Sequence, residues 1–166
     1  MQDASNPTGG DYSWNSALCR ALDILNDFMA NSVDHLGIYL HLARASDQRR
    51  RPMVRDRLLI MAGAIAAEMH LDTVAAYCRH QVLQHNPRHL VRRWPTLSAA
   101  LDDEDFKSHR AQLKRRYPRE KAEQMLDSLG IQLANERDTY FSDIEYAAAI
   151  MGTTPDALDE QFGELG

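Results

Sequence analysis

The residues best suited to chemistry gather in one stretch of this chain. Arg79, His80, His85, Arg88, His89, Arg92, Arg93 and Trp94 fall within sixteen positions. Guanidinium groups grip phosphates and carboxylates through paired N–H donors. An aromatic ring among them offers a face on which a base can stack. Arg79, Arg88, His89, Arg92, Arg93 and Trp94 are therefore the candidate residues for binding a polyanion or a protein partner. Arg49, Arg50 and Arg51 join them if the fold brings the loops together. No lysine occurs between residues 44 and 106. Arginine without lysine suits specific, half-buried pairing better than diffuse tracking of a phosphate backbone.

Metal chemistry fares less well. Four of the seven histidines, His70, His80, His85 and His89, lie within twenty residues, with Cys78 among them. Ligands on one helical face stand four residues apart. His85 and His89 have that spacing, but Asn86-Pro87 interrupts any helix between them, because the residue before proline is pushed out of the α region. Glu68 and His70 read as ExH, not the ExxH of helical di-iron sites. The histidines are read as solvated or core-capping, and no metal or cofactor is expected. Cys19 and Cys78 form no CxxC and are expected to be buried free thiols.

Catalytic signatures are absent as motifs. There is no GxSxG, no phosphate-binding glycine loop and no GxGxxG. Asp102, Asp103, Glu104 and Asp105 are most simply a helix N-terminus, where acids complement the helix dipole. No catalytic residue is assigned, and the chain is read as more in keeping with a non-enzyme. The stretch from Ala147 to Phe162 has the alanine, turn-glycine and apolar spacing of a helix-turn-helix. Its second helix carries Asp156, Asp159 and Glu160 and no basic residue, so a duplex would repel it. It reads as a helical hairpin. The stretch from Ile65 to Leu83 has His70 where that motif usually has a glycine.

The elements that must position these residues are helices. From Leu18 an apolar stripe runs through Leu22, Leu25, Met29, Val33, Leu36, Leu40 and Ala43 in steps of three and four, one face of a single helix. Ile24 and Phe28 widen it, and Asn31-Ser32 and Gly37 weaken its middle. Pro52 suits the first turn of a second helix. The stretch Leu58 to Met69 is apolar nearly all round, the mark of a buried helix, and is expected to be the centre of the core. Asp72 is expected to cap a third helix. Thr96 caps the next, Gly130 ends another, Ser142 and Glu145 form a capping box, and Thr154-Pro155 opens the last. The expected fold is all-α, an irregular or orthogonal bundle of about six or seven helices. A flexible lead-in is expected over 1–13 and one helical domain over 14–166, with a sub-layer boundary near 94–97.

Whole-chain numbers agree with that. The 166 residues suit one domain, and 44% apolar with 26% charged is ordinary for a globular chain. The longest apolar run, Leu58 to Ala67, is half of the ~20 residues that span a bilayer, so no membrane is expected. The N-terminus lacks a basic and an apolar signal region, and the cytoplasm is the expected compartment. The net charge of −5 is unevenly spread. Residues 1–42 carry −4 and residues 117–166 carry −8, while residues 43–116 hold fifteen Lys/Arg against eight acids. Either the basic middle packs on the acidic end, or it faces a partner. The leading expectation is a non-enzymatic helical interaction module that binds another protein or itself. The alternative is a nucleic-acid or other polyanion binder using Arg79 to Trp94.

Overall fold

The computed structural model describes residues 11–165, with side chains from 16 to 164. Most of the expected lead-in lies outside the described residues, and its last three positions are already helical. The fold is all-α, with eight α-helices and no strand among the described residues. The chain divides into two compact units, Met1–Asn31 and Ser32–Gly166.

Helix α1 (Asp11–Gln48) is continuous. Ala17, Leu18, Arg20, Ala21, Leu22, Leu25, Met29 and Ala30 make its first unit rich in strong helix formers. Every residue from 16 to 31 is exposed, whichever face of the helix it stands on. The apolar stripe is thus divided. Leu18, Leu22, Leu25 and Met29 are exposed, whereas Val33, Leu36, Leu40 and Ala43 are buried in the second unit.

The second unit is built on α2 (Pro52–Glu68), where every residue from Leu58 to Ala67 is buried. Small residues let neighbours approach closely: a Cβ on Gly63 would lie 2.5 Å from Leu97 Cδ1 and 3.0 Å from Cys78 Cβ. Helix α3 (Asp72–His85) packs along α2 and buries Val74, Ala75, Cys78 and Val82. Asp72 does not cap it. Leu71 precedes the first turn, and the Asp72 carboxylate instead accepts a hydrogen bond from Ser98 Oγ at 3.3 Å. After a 3-10 turn at Leu90–Arg93 come the short α4 (Leu97–Ala100), α5 (Glu104–Arg116) and α6 (Arg119–Ser128). Helices α7 (Asp143–Met151) and α8 (Pro155–Phe162) close the chain as a hairpin.

Turn chemistry places these breaks. Thr96, Ser142 and Thr154 each accept the backbone N–H three residues on. The Glu145 carboxylate accepts from the Phe141 N–H at 2.8 Å, one residue before the Ser142 donor that the expected capping box would use. Gly130 and Gly152 end their helices with φ of 71° and 75°, a region cheap only for glycine. The N–H of Ile131 then reaches back to the Leu126 carbonyl, the expected helix-ending geometry.

Candidate functional site

The fold uses most of the arginine segment internally. Arg79 is half-buried on α3 and donates to two backbone carbonyls, Val91 at 3.3 Å and Trp94 at 2.8 Å. It therefore pins the 3-10 turn and its exit to α3. Burial lowers its pKa. His89 sits before that turn, and its Nδ1 accepts from the Val91 N–H at 3.3 Å. Its ring meets His109 edge-on at 5.7 Å between centroids.

Trp94 is 9% exposed. Its indole N–H donates to Asp103 at 3.2 Å, and its ring packs edge-on against Phe106. Asp103 also accepts the Asp105 N–H, the main reason its pKa is lowered. Arg93 pairs with Asp105 at 2.7 Å and lies over the Trp94 ring. Trp94 is thus a core anchor, and its burial leaves little face for a base. Arg88 and Arg92 are exposed. Of the six candidates, these two and Arg93 present guanidinium groups to solvent.

The basic middle draws on its own acids. Arg55 pairs with Asp47 and Asp56, Arg93 with Asp105, and Arg110 with both oxygens of Glu68. The Arg110 hydrogen bonds hold the Glu68 carboxyl below its ordinary value. In the acidic end, Arg137 pairs with Asp143 at 2.6 Å and Arg119 with Glu123 at 2.7 Å. Glu136 is reached from elsewhere: His41 on α1 bonds it at 2.8 Å.

Asp56 is the second unit's buried carboxylate, at 6% exposure. It accepts from Arg55 and from His85 Nδ1. An imidazole oriented by a buried carboxylate is half of a general-base arrangement. Among the described residues no serine, threonine or cysteine bonds the other ring nitrogen of His85, so the pair lacks a nucleophile to activate. The described residues also contain no group of three His, Cys, Asp or Glu placed to hold a metal ion.

One concavity escaped the sequence reading. Arg57 of α2 and His109, Arg115 and Arg116 of α5 line an open cleft of about 500 Å³. Nothing in the spacing pairs Arg57 with α5, because only the packing of two helices fifty residues apart creates the cleft. His109 is held below its ordinary pKa by burial and then by Arg57, and its Nε2 is buried without a hydrogen-bond partner.

The most exposed apolar feature is on α1. Six of the eight exposed large apolar side chains among the described residues lie between Leu18 and Met29. They are Leu18, Leu22, Ile24, Leu25, Phe28 and Met29, and Ile24 is 70% exposed. Cys19 stands beside them and is exposed, which corrects the expectation that both thiols are buried. An amphipathic stretch is no guide to burial when its cover is not nearby in the chain. No helix among the described residues is long and apolar enough to cross a membrane. The chain matches no protein-family model, no curated protein and no solved structure.

Proposed function

We propose that this protein is a non-enzymatic interaction module that docks an apolar helical surface on the first half of α1. One observation carries this reading: residues 16–31 are exposed on every face, yet six large apolar side chains are concentrated there. A helix of that length has marginal stability in water without packing. Its apolar residues offer on the order of 600 Å² per chain, at the top of the ~300–600 Å² range for the largest patch of a typical monomer. A cover over that face would stabilise both the helix and the complex.

The test is the size of the native assembly. Tagged wild-type protein should elute from its native extract well above the 18.9 kDa of one chain. Leu22→Asp/Leu25→Asp should elute as one chain, because both positions are exposed and the core does not use them. Wild type eluting as a single chain overturns the reading.

A second reading, polyanion binding, is favoured by the cleft at Arg57, Arg115 and Arg116 more than by the Arg79 to Trp94 segment. It expects salt-sensitive binding of a nucleic acid. Arg57→Ala/Arg115→Ala should weaken that binding more than Arg88→Ala/Arg92→Ala. Absence of any anisotropy change with single- or double-stranded nucleic acid at low salt removes it.

A further inference from the structure

We infer that the occupant of the α1 face is a second copy of this chain, packed antiparallel; the inference rests on the docking reading above and names its partner. The apolar positions Leu18, Leu22, Leu25 and Met29 are spaced four, three and four. That pattern reads the same in both directions. Leu18 and Met29 are equidistant from the point between Asp23 and Ile24, and so are Leu22 and Leu25.

Two such helices laid antiparallel about that point set Leu22 against Leu25 of the other copy at the centre. Leu18 then meets Met29 at each end. This is the alternation of core layers that a coiled-coil seam requires. The contact is isologous, so one two-fold axis satisfies both copies and closes the assembly.

The flanks fit the same register. On one side Phe28 comes over Ala21 of the second copy, a large residue against a small one, so the seam can close without a void. On the other side Cys19 faces Asn26 of the second copy. Arg20, Asp23 and Asp27 fall on the outer face, away from the seam, so no charge is buried. Antiparallel order also opposes the two helix dipoles.

The area is that of a small interface. Leu18, Leu22, Leu25, Phe28 and Met29, on or beside the seam, supply on the order of 500 Å² per copy, within the range of the smaller, weaker interfaces.

Purified full-length protein, alone, tests this by sedimentation equilibrium and by cross-linking. Wild type should have twice the chain mass, and Leu22→Asp/Leu25→Asp the mass of one chain. The Asn26→Cys variant should form a covalent dimer under mild oxidation through Cys19 of one copy and the new thiol of the other. Cys19→Ser/Asn26→Cys should not, because the two new thiols stand too far apart along the seam. Circular dichroism of each variant reports whether the helices are kept. A single-chain mass at every concentration overturns the self-pairing. If the native extract still holds a larger assembly, the docking reading survives with another protein as occupant. If the extract also holds single chains, both fall. A dimer that gives no covalent product in the Asn26→Cys variant overturns the antiparallel register.

Discussion

The hydroxyl of Tyr146 on α7 occupies the space that a side chain on Gly37 of α1 would need. A Cβ at Gly37 would overlap that oxygen and stand 3.1 Å from two carbons of the ring. The hydroxyl also donates to Glu136 at 3.4 Å, and Glu136 in turn bonds His41, one turn along α1. A glycine that weakens a helix in propensity is here the seat of a buried tyrosine. Gly37→Ala should therefore destabilise the protein by about 1–3 kcal/mol through overpacking, in spite of alanine's better helix propensity. Adding Tyr146→Phe removes the overlapping oxygen, so the double variant should cost less than the sum of the single changes. Urea unfolding of the four proteins measures this, and simple additivity would count against the contact.

Asp56 and Asp105 predict unequal responses to the same change. Asp56 is buried and bonded by Arg55 and His85. Asp56→Ala leaves the half-buried Arg55 with Asp47 alone and should cost roughly 2–4 kcal/mol. The Arg93 and Asp105 side chains are 55% and 63% exposed. Asp105→Ala should change stability by less than about 1 kcal/mol, the ordinary worth of a surface ion pair. Equal losses in denaturant unfolding would contradict the burial difference.

Acid should weaken the fold through its half-buried imidazoles. Burial holds both His89 and His109 below the ordinary value of 6.5. The neighbouring His109 lowers His89 further against the opposing pull of Asp56, and Arg57 lowers His109. His35 is lowered mainly by burial as well. A lowered folded-state value means that the unfolded chain takes the proton first. The stability these groups contribute is complete above about 6.5 and is lost as pH falls from there through their folded-state values. The thermal midpoint should fall between pH 7.5 and 5.5. His89→Gln/His109→Gln should flatten that fall, with a remainder from His35. A slope unchanged in the double variant would show that the loss arises elsewhere.

The two thiols should react at very different rates. Cys78 is fully buried, and burial pushes its thiol up to about 12. Cys19 is exposed. In the single-chain Leu22→Asp/Leu25→Asp variant, where no second copy shields Cys19, a disulfide reagent should modify one thiol per chain promptly, and Cys78 only on unfolding. Cys19→Ser should abolish the fast phase. Prompt modification of two thiols would overturn the burial of Cys78.

Much of the local structure was legible in residue order. The apolar run Leu58 to Ala67 is the core helix because a segment with no polar face has nowhere else to go. Thr96, Ser142, Thr154, Gly130 and Gly152 mark helix ends because capping and left-handed backbone involve only near neighbours. Asp72 was misplaced because its carboxylate finds Ser98, twenty-six residues on, and such a partner leaves no trace in local spacing.

The arginine segment shows the same division. Residue types at Arg79, Arg93 and Trp94 announced donors and a ring. Only the tertiary packing decided that Arg79 holds two carbonyls, that Trp94 is covered and that Arg57 meets α5 across a cleft. The sequence by itself determined that α1 has one apolar face, since periodicity is a property of the helix alone. Where that face is covered was decided by the fold. From Val33 onward its stripe is buried, and from Leu18 to Met29 its large apolar side chains stand exposed, because burial depends on what lies opposite and not on the residue itself.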